Sequence, residues 1–254
     1  MSLTPLIYVD HWSPMRILED DPMNEKLEKL WLELKYDIKS VLIVSAHFMK
    51  NGNYLTTWDK HKTIYDFYWF PDELYEILYE PKVDKSLVDK VSNILWDVVE
   101  TSDWWLDHWA WSVLKKLFPD ADIPVVELSI NNRIWMNEYY EIGKKLSKLR
   151  QEWVLIIWSW SIVHNLREID YNKNVVYKWA QDFDNCVKEY IMKWEYEKLI
   201  NYHLIPNNDR AFYTSEHYIP LLYVLWATQS WEKATYLNSW ITNWSLSNNL
   251  IVIK

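Results

Sequence analysis

Histidines at the ends of predicted strands carry most of the chemistry that this sequence could perform. His11 follows the apolar run at residues 6–9, His47 ends the run in VLIVSAHF, and His164 comes a few residues after a fourth run. In open α/β sheets, ligands bind beyond the carboxyl ends of the strands. Neutral imidazoles that meet there suit a first-row divalent metal. The pattern therefore predicts a metal site at one edge of a sheet.

Two further histidines have both a functional and a structural interpretation. His108, in LDHWAWSVL, stands just before a helix predicted to begin near Ser112, so a capping or buried role is the alternative. Asp107 could fix the tautomer of His108 if a turn brings its carboxylate back. His217, in SEHYIPLLYVL, starts an apolar helix, where a helix-end role is the alternative. Two others are interpreted as structural loop residues: His61 and His203.

Apolar runs of strand length alternate with helical patterns along the chain. This alternation predicts a single α/β domain over residues 1–254, with a mainly parallel central sheet and helices on both faces. The predicted strands are residues 6–9, 41–45, 124–130, 154–157 and 250–253. The predicted helices are residues 24–34, 71–79, 86–99, 112–118, 137–150 and 175–192.

The bulk properties exclude several classes of protein. A net charge of -9 disfavours a nucleic-acid-binding surface, which needs clustered Lys and Arg. Cys186 is the single cysteine, so no internal disulfide can form. Neither a leader sequence nor a membrane span is evident, which predicts a soluble, cytoplasmic protein.

The tryptophan content is the most unusual feature of the composition. The chain holds 19 Trp and 2 Gly, although about 18 glycines would be usual at this length. Many of the tryptophans stand beside Ser, Asp, Asn or Pro, where a chain reversal is expected. Tight turns favour glycine because it reaches positive φ without steric cost. The segment at residues 154–166, VLIIWSWSIVHNL, places two tryptophans in such an apparent turn before His164.

We interpret this pattern as UGA codons written as tryptophan in a source that reads them as glycine. If Trp104, Trp111 and Trp179 are set aside as genuine, 16 suspect positions remain, and with the two glycines they match the usual content. The alternative is a Trp-rich protein, such as a carbohydrate binder with aromatic platforms. Platform residues, however, should project from strand faces rather than fill turns.

Seven segments, in order, resemble class III extradiol ring-cleavage dioxygenases of the DOPA 4,5-dioxygenase type, related to the catalytic subunit of protocatechuate 4,5-dioxygenase. They are DHWSPM, VLIVSAHF, TIYDFYWFPDELY, LDHWAWSVL, PDADIPVVELSI, IIWSWSIVHNLR and SEHYIPLLYVL. The family pattern reads G-H-G-S-P, Y-G-F-P, L-D-H-G and G-S-G in the matching places. Glycines therefore fall where this sequence has tryptophan: Trp12, Trp69, Trp109, Trp158 and Trp160. Asp10 departs from the pattern, which has glycine there.

The resemblance implies a role for each candidate residue. His11, His47, His164 and His217 would form the metal centre, and it stays open which of His164 and His217 binds directly and which acts as a neighbouring base. His108 matches the histidine that handles protons or bound oxygen. The substrate pocket would include two aromatic residues, Tyr65 and Phe67, of which Tyr65 bears on substrate preference.

The implied cofactor is non-haem Fe(II), and Zn(II) also fits such a site. The implied reactants are a small aromatic diol and dioxygen, with a monomer or small homo-oligomer as the active form. Two alternatives remain: a non-enzymatic binding protein on the same fold, and a zinc-dependent hydrolase that would use a carboxylate such as Glu216.

Overall fold

One eight-stranded sheet forms the centre of the molecule. The computed structural model describes residues 3–10, 13–34, 37–170, 175–214 and 218–254. The strand order is β4-β3-β5-β2-β6-β1-β8-β7. The strands are β1 (Leu6–Asp10), β2 (Ser40–Lys50), β3 (Asn53–Thr56), β4 (Val98–Thr101), β5 (Val125–Asn131), β6 (Val154–Trp160), β7 (Ala234–Thr242) and β8 (Leu246–Ile253).

The four central strands, β5, β2, β6 and β1, are parallel. β8 pairs antiparallel with β1 and with β7, so one side of the sheet ends in an antiparallel hairpin. On the other side β3 is antiparallel to β5 and parallel to β4. The central strands are continuous apolar runs because both of their faces are covered. Their carboxyl ends meet at one edge, as the sequence predicts.

Helices cover both faces of the sheet. Alternate residues of β1 point to opposite sides: Ile7 and Val9 contact the core cluster that contains α1 and α3, whereas Leu6 and Tyr8 belong to the cluster that contains α2, α4, α5 and α8. The helices are α1 (Pro22–Leu34), α2 (Lys85–Leu95), α3 (His108–Leu117), α4 (Met136–Leu146), α5 (Lys178–Met192), α6 (Tyr196–Ile200), α7 (Asn208–Ala211) and α8 (Ile219–Trp226). None of the described helices is long and apolar enough to cross a membrane.

The predicted α/β architecture is confirmed, but several element boundaries were wrong. The predicted helix at residues 71–79 is a short 3-10 turn, Asp72–Glu76, because Ile77 is already extended. The helix predicted to reach residue 99 ends at Leu95, and the chain then enters β4. The helix predicted to reach residue 150 ends at Leu146 and continues as a 3-10 segment. Three strands were missed: β3, β4 and β7.

Tryptophans dominate the backbone positions that normally demand glycine. Eight described non-glycine residues have positive φ, and five of them are tryptophans: Trp69, Trp96, Trp153, Trp194 and Trp244. Positive φ brings the Cβ of an L-residue too close to the backbone, at a cost of about 1–2 kcal/mol. Trp96 and Trp153 end helical segments, where glycine is the usual residue. Asn243 and Trp244 occupy the β7–β8 turn with φ of 45° and 74°, the conformation for which Asn-Gly is preferred.

Trp158 and Trp160 are not in a turn, which corrects the interpretation of that segment. They are fully buried residues of β6, which runs to Trp160 before the chain turns toward His164. The indole nitrogen of Trp158 is buried without a hydrogen-bond partner. By contrast, the indole of Trp111, set aside as genuine, donates to the Ile64 carbonyl at 2.8 Å. Indole hydrogen bonding does not separate the two groups of tryptophans, because the indole nitrogens of Trp104 and Trp179, also set aside as genuine, are buried without a partner.

Candidate active site

His47 lies near the carboxyl end of β2 and is aimed by an irregularity in that strand. β2 continues to Lys50, beyond the point where the sequence placed its end. Its register with β5 shifts between Val44 and Met49, and such a bulge redirects the side chains next to it. The His47 side chain is about one-third exposed, at 32%. It is therefore open to a ligand while its strand remains buried.

His108 is the first residue of α3, four residues earlier than the helix start predicted near Ser112. Asp107 is the N-cap, and its carboxylate accepts hydrogen bonds from the backbone of Trp109 at 2.9 Å and of Ala110 at 3.1 Å. The same oxygen accepts the Ser45 hydroxyl at 2.7 Å, which ties the start of α3 to β2. This cap fixes the position of His108 relative to His47.

Asp66, rather than Asp107, is the carboxylate that contacts both histidines. Its Oδ2 lies 2.5 Å from His47 Nδ1, and its Oδ1 lies 2.8 Å from His108 Nδ1. Oδ1 also accepts the backbone N–H of His108 at 3.0 Å. The candidate ligand atoms of these three residues lie within 4.8 Å of one another. Sequence reasoning assigned no role to Asp66.

Burial and mutual contact together set the charges of His47, Asp66 and Asp107. Burial opposes protonation of His47, but the hydrogen bond to Asp66 and the charges of Asp107 and Asp66 outweigh it and raise the pKa of His47. Burial favours protonation of Asp66, yet hydrogen bonds from His108 and His47 hold its pKa below the usual range. Burial, followed by the charge of Asp66, raises the pKa of Asp107. The ionised carboxylate is therefore Asp66, which has the two imidazoles as partners.

Three histidine rings surround the side chain of Trp109. The indole lies 5.2 Å from His47, 6.1 Å from His108 and 5.6 Å from His164, between ring centroids. His164 is held by its backbone, which donates to the Ala211 carbonyl at 2.7 Å, and its side chain is largely buried. Trp109 itself is 2% exposed. His47, His108 and His164 thus converge on one position, and a bulky ring fills it.

The two predicted substrate-binding aromatics lie at different distances from the histidines. Phe67 contacts the His108 ring edge to face at 5.4 Å and is nearly buried. Tyr65 packs on Phe67 at 6.1 Å, and its hydroxyl donates to the Ile77 carbonyl at 2.8 Å. Phe67 is therefore next to the histidine cluster, formed by His47, His108 and His164, and Tyr65 is one ring further away.

A cavity of about 540 Å³ opens at the same edge of the sheet. It lies among segments that follow β1, β6 and β7, and Phe70 is part of its wall. The ring of Phe70 lies 5.4 Å from that of Phe67, between ring centroids, and Phe67 in turn contacts His108. The volume of this cavity is in the usual range for small-molecule sites. The remaining residues of its wall are Ser13, Met15, Glu19, Asp21, Leu166, Ile169, Thr242 and Asn243.

Four residues named from the sequence lie outside the described residues: His11, Trp12, Glu216 and His217. Asp10, which departs from the family pattern, is described and fully buried at the end of β1. Its carboxylate accepts hydrogen bonds from the backbone of Ile162 at 3.2 Å and of Asn249 at 2.8 Å. Asp10 thus joins the ends of neighbouring strands, and burial raises its pKa to about 6.

The sequence matches the family described as "Catalytic LigB subunit of aromatic ring-opening dioxygenase" over residues 7–247. The chain belongs to this family. The histidine cluster lies within the matched region, as do Asp66, Phe67 and Trp109.

Comparison with individual proteins supports the same assignment. The chain is 35% identical to "4,5-DOPA dioxygenase extradiol" of Escherichia coli (strain K12), over 91% of this chain and 88% of that protein. It is 31% identical to the Beta vulgaris protein of the same name, over 92% of this chain and 90% of that one. The crystal structure of an uncharacterized protein from Escherichia coli K12 superposes with a TM-score of 0.85 at 32% identity and covers 99% of this chain and 100% of the other.

The donor atoms in this region fit a divalent metal of the kind that the resemblance implies. An imidazole whose Nδ1–H donates to a carboxylate presents Nε2 as its basic nitrogen. The contact between Asp66 and His47 therefore prepares His47 Nε2 for coordination. Imidazole nitrogens suit both iron and zinc. His47, on β2, and His164, in the segment after β6, both contact Trp109.

Proposed function

We propose that the chain opens the ring of a catechol-type substrate with dioxygen, cleaving beside the diol. The observation that supports this most strongly is the convergence of His47, His108 and His164 around residue 109. Family membership supports the reaction class. The relatives named 4,5-DOPA dioxygenase extradiol support a catechol as substrate.

We assign the metal centre to His47 and His164 together with two histidines outside the described residues, His11 and His217. Fe(II) is the expected ion, and Zn(II) fits the same nitrogen donors. When bound, the ion would supply Lewis-acid activation of the diol and a point of entry for dioxygen. One of His164 and His217 would bind the ion directly, and the other would act as a base beside the substrate.

His108 is the residue to which we assign proton handling. Its Nδ1 faces Asp66 at 2.8 Å, so Nε2 is the atom that accepts a proton from a catechol hydroxyl. The ionised Asp66 carboxylate stabilises the imidazolium that results. Phe67, packed edge to face on the ring, restricts the movement of His108 and excludes water from that side.

We assign the substrate pocket to the space beside these rings, with Phe67 and Tyr65 among the aromatic residues that shape it. A catechol ring can reach the three histidines only if the side chain at position 109 is small. Glycine at 109, as UGA recoding requires, removes the indole that now fills this space. The function and the recoding hypothesis therefore depend on the same position.

Metal analysis combined with an isotope experiment separates this function from its alternatives. A ring-cleaving dioxygenase incorporates both atoms of ¹⁸O₂ into a ring-opened semialdehyde. A binding protein on the same fold retains the catechol unchanged, and a zinc hydrolase takes oxygen from water. The hydrolase would also need a carboxylate beside the metal, for which the sequence offers Glu216, a residue outside the described part of the chain.

A further inference from the structure

We propose that Asp66 is a positioning residue that holds His47 and His108 in one tautomer and one orientation. It bridges two imidazoles that the sequence supplies from different elements, β2 and the first turn of α3. Each carboxylate oxygen serves one ring. The inference rests on the proposed function for the purpose of this arrangement, but the arrangement itself is testable without activity.

The distances indicate hydrogen bonds rather than joint coordination of an ion. Asp66 lies 2.5 Å from His47 Nδ1 and 2.8 Å from His108 Nδ1. Ligand atoms bound at right angles to a first-row metal, each about 2.1 Å from it, lie about 3 Å apart. Both observed contacts are shorter than this, and the contact with His108 matches a charge-assisted N–H···O bond. Asp66 therefore receives a proton from each Nδ1.

Both hydrogen bonds have the same chemical consequence. With Nδ1 protonated, the basic atom of each ring is Nε2, which becomes a ligand in His47 and a proton acceptor in His108. One carboxylate thus prepares two different functions. Without it, each neutral imidazole could place its proton on either nitrogen.

The surroundings of Asp66 fix the position of its carboxylate. The side chain is 19% exposed. Oδ1 also accepts the backbone N–H of His108 at the start of α3, where the helix dipole favours negative charge. The carboxylate is thus anchored to the backbone of one of the residues that it orients.

The test substitutes Asp66→Asn in the full-length chain, with Asp72→Asn as the matched control. Asp72 is an exposed acid shortly after Asp66, and it has no hydrogen bond to either histidine. An asparagine offers one carbonyl acceptor and one amide donor. It can therefore retain only one Nδ1–H, and the other imidazole must move its proton to Nε2. Ring ¹⁵N NMR of the metal-free chain measures this change directly.

Metal binding provides the second readout. We expect Asp66→Asn to weaken Zn(II) binding about 10- to 100-fold, measured by chelator competition, because outer carboxylates tune metal affinity by that amount. In the Co(II)-substituted chain, the absorption spectrum should indicate the same coordination number of Co(II) with and without the substitution, because no ligand is lost. Asp72→Asn should change neither quantity.

Two results would overturn the proposal. Unchanged tautomers and unchanged Zn(II) affinity in Asp66→Asn would show that the carboxylate does not control the rings. A lower Co(II) coordination number would show that Asp66 is itself a ligand. If the wild-type chain shows the Nδ1–H tautomers but no ring cleavage with any catechol, the proposed function fails while the role of Asp66 stands.

Discussion

The indole of Trp109 lies 5.2 Å from the imidazole of His47, between ring centroids, inside the group of histidines to which we assign the chemistry. Its backbone carbonyl accepts the Ser159 hydroxyl at 2.5 Å, so the start of α3 is tied to β6 as well as to β2. The backbone around residue 109 is thus well fixed, whereas its side chain fills the space that a substrate would need.

Trp109→Gly should therefore create a binding site for a catechol. We expect 4-nitrocatechol to bind the metal-loaded variant at least about tenfold more tightly than the chain with tryptophan, because a ring cannot enter a space that an indole already fills. The spectral shift of the ligand measures this binding. Trp105→Gly is the control, since Trp105 is also a suspect position but stacks on Trp58. Equal gains from both substitutions would refute a specific role for position 109.

Glycine at exposed positive-φ positions should stabilise the fold. Trp69 and Trp96 have φ of 70° and 75° and exposures of 100% and 87%, so little packing is lost on their removal. We expect each substitution by glycine to raise the free energy of unfolding by about 1–2 kcal/mol in urea titrations. Trp31→Gly should have the opposite effect, because Trp31 lies within α1 and contacts Phe118 at 5.1 Å.

The encoding DNA gives an independent check of the recoding. We expect UGA at the 16 suspect positions and UGG at Trp104, Trp111 and Trp179. Peptides from the source organism that cover residues 69 and 96 should contain glycine by mass spectrometry. UGG codons throughout would show that the tryptophans are native and that the strained turns are real.

Much of the fold could be predicted from the sequence because its central strands are continuous apolar runs. β3 and β4 are short and lie toward one side of the sheet, and β7 at the other edge is interrupted by polar residues, so none of them gives such a run. The helix predicted at residues 71–79 failed because an N-terminal Pro and two acids favour a helix start but do not ensure its continuation.

The site was only partly predictable for a different reason. His47, His108 and His164 stand at strand or helix ends, which local patterns reveal. Asp66 stands among aromatic residues, and its partners lie 19 and 42 positions away, so only the folded chain brings them together. Asp107, the nearer candidate partner of His108, is instead used to cap α3.

His61 should make the fold sensitive to mild acid. Burial lowers its pKa to about 4 from 6.5, while its Nε2 lies 3.1 Å from the Val125 carbonyl and its Nδ1 is buried without a partner. Because the unfolded chain binds the proton more readily, stability is full above about pH 6.5 and declines toward pH 4. We expect a loss of about 2 kcal/mol between pH 7.5 and pH 5 from this group. Urea titrations should show that His61→Gln reduces the loss.

Oxygen uptake with a catechol is the direct test of the proposed ring cleavage. The chain with glycine at the 16 suspect positions, loaded with Fe(II), should consume one molecule of dioxygen per catechol and form a coloured ring-opened product. The same chain with His47→Ala should consume none, because loss of a ligand removes most of the metal affinity. Undiminished uptake in the His47→Ala variant, or no uptake in the parent chain with any catechol tested, would refute ring cleavage at this centre.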